Sequence, residues 1–185
     1  MAQPSVYFSA GRLTMLQRNV LDAAGMERLL STASLPEARK TLSELGWTGA
    51  DITDPEQLAA DRVNQAAQDA RALSPDPALV DCFLYAYDAA NLKMLLKARL
   101  LGLSAPALSD CGTIPADTLH HAVTDHRYST LPAAFRDAMN RLEQNIVTGI
   151  DPMSIDVAID RAMYQLIFSR LKGTHSPVSY THLTL

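Results

Sequence analysis

The sequence predicts an all-α fold, and three observations carry that prediction. Leu and Ala number 26 and 27, against 8 Val and 7 Ile, and unbranched side chains keep more rotamer freedom in a helix than β-branched ones. Apolar residues recur at three- and four-residue spacing, and no alternating stretch reaches useful strand length. Ser, Asp and Pro stand where helices would begin, and Gly where they would stop. With 185 residues, 48% of them hydrophobic and 19% charged, the chain has the chemistry of an ordinary globular domain rather than a disordered tail.

The elements follow in order. Leu13, Leu16 and Val20 set a first helix over Tyr7 to Leu21. Asp22 can cap a short second helix through Leu30, with Met26, Leu29 and Leu30 inward. Ser34, with Pro36 in the first turn and Glu37 three residues on, makes a capping box for a third helix, which Gly46 ends after Leu45. Asp54, Pro55, Glu56 and Gln57 repeat the start signal for a fourth helix to Leu73, whose packing face is a narrow line of Leu58, Val63 and Ala66 or Ala67. Ser74-Pro75-Asp76-Pro77 breaks it. The strongest helix runs from Pro77 to about Leu101 and ends at Gly102; Val80, Leu84, Tyr87, Asn91, Leu95 and Ala98 share a stripe that Phe83, Ala90 and Met94 widen. Three more helices are predicted, near Ala116 to Thr124, Pro132 to Thr148 and Pro152 to Leu171, the last capped by Asp151. Leu13, Leu16, Tyr85 and Met94 are the expected core anchors.

Several function classes drop out early. Lys and Arg total 16 and Asp and Glu 20, a net charge of -4, without the positive excess that general phosphate neutralisation requires. Two cysteines, Cys82 and Cys111, are too few for a disulfide scaffold or a four-cysteine zinc site. The opening residues Met1-Ala2-Gln3-Pro4-Ser5 lack a basic and then apolar export signal. The greasiest run, Leu92 to Leu103, is short and interrupted by Lys93, Lys97 and Arg99, so direct membrane insertion is not expected. No Gly-x-Ser-x-Gly elbow, Gly-x-x-x-x-Gly-Lys-Ser/Thr loop or Gly-x-Gly-x-x-Gly turn is present.

Reactive residue types still need weighing. Asp81 and Asp88 lie two helical turns apart on one side of a helix, about 10 Å of rise, which is long for a pair of catalytic carboxylates. His121 and Asp125 stand one turn apart with His126 beside them, so a small helical metal-dependent enzyme is one alternative; a solvated helix end rich in His is the ordinary explanation of His120, His121, Asp125 and His126. An unrelated helical adaptor is the other alternative. Asn91 places an amide on an apolar stripe, where it must find partners: either a bond that fixes helix register or one to a neighbouring carbonyl. Lys93, Lys97 and Arg99 make either a basic edge for a partner or a solvated face whose stems cover core leucines. Lys93 and Lys97, four apart, repel slightly unless something negative lies near.

Four motifs in order then resemble one family, the C subunit of archaeal and bacterial V-type ATPases, related to eukaryotic subunit d. Tyr7 to Leu45 is similar to its N-terminal pattern through Ala10, Arg12, Met26-Glu27-Arg28-Leu29-Leu30 and Ser34-Leu35-Pro36-Glu37-Ala38. Pro77 to Gly102 resembles its central signature at Asp81, Tyr87-Asp88, Asn91-Leu92-Lys93, Leu95-Leu96, Lys97-Ala98 and Leu101-Gly102. Cys111-Gly112-Thr113-Ile114-Pro115 resembles its Gly-Thr-Ile-Pro turn. Asp156 to Tyr164 resembles the opening of its next domain, with Ile159 and Met163 departing from the usual residues.

The resemblance covers Tyr7 to Leu171 and implies a non-catalytic central-stalk subunit of a rotary ATPase or ATP synthase, with no cofactor or metal of its own. Family members have three similar helical domains arranged as a shallow funnel. By that pattern residues 1–150 form the first domain, 151–175 open a truncated second one, and 176–185, which lose the helical period, are a non-native tail. Truncation would leave Ile155, Ile159 and Ile167 without the helices that bury them. The implied partners are the membrane rotor ring of c/K-type subunits and the D/F-type central-shaft subunits, with the protein peripheral on the cytoplasmic face. Arg12, Arg18, Lys93, Lys97, Arg99 and Arg127 are the expected contact residues. Tyr87, Asp88, Asn91, Leu92, Leu95, Gly102, Gly112, Thr113, Ile114 and Pro115 are the structural signature.

Overall fold

The computed structural model describes residues 4–17, 20–47, 54–104, 106–146 and 151–172. Arg18 and the 176–185 tail lie outside the described residues. Eight α-helices and no strand occur among those described, in the order α1 Val6–Gln17, α2 Ala23–Leu30, α3 Leu35–Glu44, α4 Pro55–Leu73, α5 Pro77–Leu100, α6 Ala116–Thr124, α7 Ala133–Ile146 and α8 Pro152–Leu171. The expected all-α fold is therefore what the chain adopts.

The start and stop chemistry works largely as its residues dictate. Asp22 accepts from Gly25 N, Asp54 from Glu56 N and Gln57 N, and Asp76 from Ala78 N, each satisfying donors that the first helical turn leaves free. Ser34 accepts from Glu37 N, while the Glu37 carboxylate reaches Ala33 N, one residue before the capping position. Gly46 and Gly102 end α3 and α5 with φ of 88° and 63°, the left-handed conformation that glycine adopts without a steric penalty. Asp151 departs from expectation, because its side chain makes no capping bond to α8.

The chain divides into two compact units, Met1–Pro75 and Asp76–Leu185. In the first, α2 packs on α3 and α1 on α4, and Leu58 is its buried large aliphatic side chain among the described residues. The second holds the main core. There α5 lies against α6 and α8, and α7 packs on α8. Phe135, Leu92, Leu96, Leu119, Met139, Ile155 and Ile159 are fully enclosed.

That core corrects three expectations. Leu13 is exposed and Leu16 only half-buried on a short helix with a single partner, and Met94 is also exposed; of the four expected anchors, Tyr85 alone is buried. The α5 stripe widens through Tyr85, Ala89, Leu92 and Leu96, not through Phe83, Ala90 and Met94, which face outward. The reason is that α5 has neighbours on two sides, so its buried arc covers more than one amphipathic stripe. Ile155 and Ile159 are not left bare, because α5 and α7 already cover them; Ile167 is half-buried.

Candidate functional site

The polar groups of the second unit gather at three places on α5. The first is the turn that follows it. Asp88 and Asn91 are completely buried, and both are spent on backbone far along the chain. Asn91 Nδ2 donates to Ser109 O at 2.8 Å and Asn91 Oδ1 accepts from Ser109 N at 3.0 Å. This is the register-fixing role rather than a bond to a neighbouring carbonyl, since Ser109 lies 18 residues on. Asp88 accepts from Thr113 N at 3.0 Å and Thr113 Oγ1 at 2.7 Å through one oxygen, and from Ile114 N at 3.0 Å through the other. Burial pushes the Asp88 carboxyl above its ordinary range, and the bonds from Thr113 and Ile114 pull against that shift.

Gly112 is what lets the turn come so close. A Cβ there would stand 2.1 Å from Asp88 Oδ1 and 3.0 Å from its Cγ. The central signature and the Gly-Thr-Ile-Pro turn, read from sequence as separate motifs, are thus two halves of one contact. Asp88 is consequently no catalytic partner for Asp81: its lone pairs are engaged and no solvent reaches it.

The second place is the line between α5 and α8. Lys93 Nζ meets Asp160 Oδ1 at 2.5 Å, and Lys97 Nζ meets Asp156 at 2.7 and 2.9 Å. Two cations four residues apart face two anions four residues apart on an antiparallel helix, which removes the repulsion expected within each helix. Further along the same helix pair, Arg170 Nε donates to the Tyr85 hydroxyl at 3.3 Å. These pairings join Asp156 and Asp160 of the last motif to lysines of the central one. Sequence reasoning missed them because the partners lie 59 and 67 residues apart.

The third place is Arg99. Its guanidinium donates to Val123 O at 2.6 Å and to the Tyr128 hydroxyl at 3.3 Å, lies 3.1 Å from His126 Nδ1, and donates to Glu143 Oε1 at 2.5 Å. Tyr128 also donates its hydroxyl to Glu143 Oε1. Burial and that bond push the Tyr128 phenol up to about 12. Burial pushes Glu143 upward too, but the bonds from Tyr128 and Arg99 outweigh it, and the net shift is downward. Lys93, Lys97 and Arg99, read from sequence as either a basic edge for a partner or a solvated face, therefore each have an internal partner. Arg12 and Arg127 are exposed.

The Glu143 shift makes a testable statement. A carboxylate depressed in the folded state contributes stability above its unfolded value, near 4.5, and that contribution is lost as pH falls through the folded one. Glu143→Gln is expected to lower stability by about 1–2 kcal/mol near neutrality. The gap between wild type and variant should stay level above about pH 5.5 and close as pH drops below about 4. Thermal melts from pH 2.5 to 7 check this, and a gap that does not narrow in acid rules it out.

The histidine cluster does not assemble. His121 and Asp125 are exposed, and their one bond is backbone, Asp125 N to His121 O. His126 takes a left-handed φ of 55°, and its Nδ1 lies 3.2 Å from Glu143 Oε1. Among the described residues no group of three His, Cys, Asp or Glu side chains is placed to hold a metal ion. In the first unit a groove of about 560 Å³ is lined chiefly by Leu13, Leu16, Val20, Leu21 and Trp47, with Arg62 5.3 Å over the Trp47 ring. No helix among the described residues is long and apolar enough to cross a membrane.

Among the described residues the fold is an all-helical scaffold in which the buried Asp88 and Asn91 hold backbone, and Lys93, Lys97 and Arg99 hold neighbouring helices. The sequence model of one family, ATP synthase (C/AC39) subunit, matches residues 9–181. The chain belongs to that family of V-type ATP synthase subunits. The match runs past Ser176 into the segment set apart above. No curated protein and no solved structure matches the chain.

Proposed function

We propose that this chain is a non-catalytic central-stalk subunit of a rotary V-type ATPase, coupling the membrane rotor ring to the central shaft for proton or sodium transport. The family match over nearly the whole chain carries the reading. The way the signature residues are used supports it. Asp88, Asn91, Lys93, Lys97 and Arg99 all tie elements together, which suits a body that must pass torque without deforming. Force transmission needs stiffness and a fitted surface, and no nucleophile or bound nucleotide. In this reading the protein is peripheral, on the cytoplasmic face, and its partners are c/K-type ring subunits and D/F-type shaft subunits.

Of the six proposed contact residues, Arg12 and Arg127 are the exposed pair for which charge reversal leaves every described ion pair intact. Arg12→Glu with Arg127→Glu is expected to weaken co-purification with ring and shaft subunits about tenfold, a loss of two rim charges worth about 0.7 kcal/mol each. The melting temperature and helical circular dichroism should not move. Lys97→Glu is expected instead to destabilise the fold itself, because it sets like charges against Asp156. Unchanged assembly in the double arginine variant would remove these residues from the interface. Failure of the wild-type chain to bind either ring or shaft would remove the coupling role.

A further inference from the structure

The corner between α6 and α7 holds a feature that the coupling role does not use. Asp125 N donates to His121 O at 2.9 Å and Arg127 N to Ala122 O at 3.0 Å, the pairing that closes a helix end around one left-handed residue. Glycine is the usual occupant of that position. Here it is His126, with a φ of 55°, a conformation that crowds a β-carbon. Strain of that kind points to the side chain that is kept there.

The ring sits between two groups of opposite demand. His126 Nδ1 lies 3.1 Å from Arg99 Nη1 and 3.2 Å from Glu143 Oε1. A guanidinium only donates and a carboxylate only accepts, so one nitrogen serves one of them at a time. While the ring is neutral, the donor count favours Arg99. Nη1 carries two N–H groups. Val123 O takes one at 2.6 Å, and for the other Nδ1 is nearer than the Tyr128 hydroxyl at 3.3 Å. Glu143 Oε1 already accepts from Arg99 Nη2 and from the Tyr128 hydroxyl, which occupies its two lone pairs.

A proton on Nδ1 reverses the preference. It sets N–H against N–H at Arg99 and makes the ring a charged donor facing a carboxylate. The Nη1 N–H released in this way has the Tyr128 hydroxyl to turn to. The charged and titratable groups facing the ring are thus Arg99 from α5, Glu143 from α7 and Tyr128 from the turn between α6 and α7, with Asp125 and Arg127 beside it in the chain.

We infer that His126 is a proton-operated latch: neutral, it accepts from Arg99 and ties the corner to α5; protonated, it leaves Arg99 and donates to Glu143 on α7. The side chain is 58% accessible, so a proton comes and goes without the fold opening. Imidazoles as a class change charge between about pH 5 and 8, which sets the range over which the exchange is sought.

Nitrogen-15 spectra of the imidazole rings in the full 185-residue chain, taken from about pH 5 to about pH 8.5, test the latch. His126→Asn, whose side chain tolerates the left-handed conformation, assigns the His126 signals. At the alkaline end Nδ1 should be bare, with the proton on Nε2, and should show a hydrogen-bond coupling to an Arg99 side-chain nitrogen. That coupling should vanish as the ring takes up its second proton. Glu143→Gln should lower the midpoint of the His126 titration by about half a pH unit, because the protonated ring loses its carboxylate partner. A neutral ring with its proton on Nδ1 overturns the inference, and so does an Arg99 coupling that persists on protonation. A midpoint indifferent to Glu143→Gln overturns the second position of the latch. The wild-type spectra decide the first position by themselves, whatever the stability of that variant.

Discussion

Gly112→Ala is expected to destabilise the second unit by about 3 kcal/mol, although it adds a single methyl group. The methyl carbon would stand 2.1 Å from Asp88 Oδ1 and 3.4 Å from Asp88 N. Neither end can yield cheaply. Asp88 sits in the middle of α5, completely buried, with both oxygens engaged by Thr113 and Ile114. If the turn retreats instead, the backbone donors of Thr113 and Ile114 lose their acceptor, and buried unpaired donors cost about 1–3 kcal/mol each. For a unit of this size the loss corresponds to a fall in melting temperature of about 12–20 °C.

Gly102→Ala is the control. Gly102 has a positive φ of 63° but open space around it, so alanine there pays only the left-handed penalty of about 1–2 kcal/mol. Thermal or urea melts of the two variants separate steric exclusion from backbone conformation. Equal losses would mean that the close approach to Asp88 is not what requires glycine at 112.

Much of the local structure is legible from the residues, and the reasons are local. Asp22, Ser34, Asp54 and Asp76 are bonded to donors two or three residues away, so spacing alone exposes them. Gly46 and Gly102 act on their own φ. The choice of buried face is less legible where a helix has more than one neighbour. Phe83 looks like core by composition and is 78% exposed, whereas the charged Asp88 five residues further along the same helix is fully enclosed. The apolar pattern of α5 does not say which side α8 will take, because that depends on a pairing with residues some 60 positions later.

The polar sites show the same division. Asn91 stands out in the sequence as a misfit on an apolar stripe, Asp88 as a carboxylate two turns from Asp81, and the Cys111-to-Pro115 turn as a helix-initiating loop. Their meeting does not, because no local periodicity links position 88 to 113 and 114. Lys93 and Lys97 carry a hint, a like-charged pair that calls for nearby anions; the DVAIDRAMY stretch supplies them at matching spacing in Asp156 and Asp160. A reader who matched those two four-residue spacings could have proposed the antiparallel α5–α8 contact. For Arg99 no such hint exists, since its partners Val123, Tyr128 and Glu143 come from a helix end, a turn and another helix.

Asn91→Asp is expected to cost about 3 kcal/mol at pH 7, although it changes one atom and almost no volume. Asn91 must donate to Ser109 O and accept from Ser109 N at once. An ionised carboxylate can only accept, so the second oxygen would face a carbonyl oxygen at hydrogen-bond distance in a site that solvent does not reach. The neutral acid restores the donor. The introduced carboxyl should therefore have a raised folded pKa, with its stability present below the unfolded value and lost as pH rises through the folded one. Melts should show Asn91→Asp closest to wild type near pH 4 and falling away towards neutrality. Asn91→Leu, which has no proton to regain, should stay destabilised at every pH. Asp88 sets the opposite demand three residues earlier, since three donors converge on it and an amide there would point an N–H at one of them. Asp88→Asn should accordingly be destabilising with no recovery in acid. If Asn91→Asp were as stable as wild type at pH 7, the Ser109 bonds could not be what holds the turn on α5, and the signature amide would need another explanation.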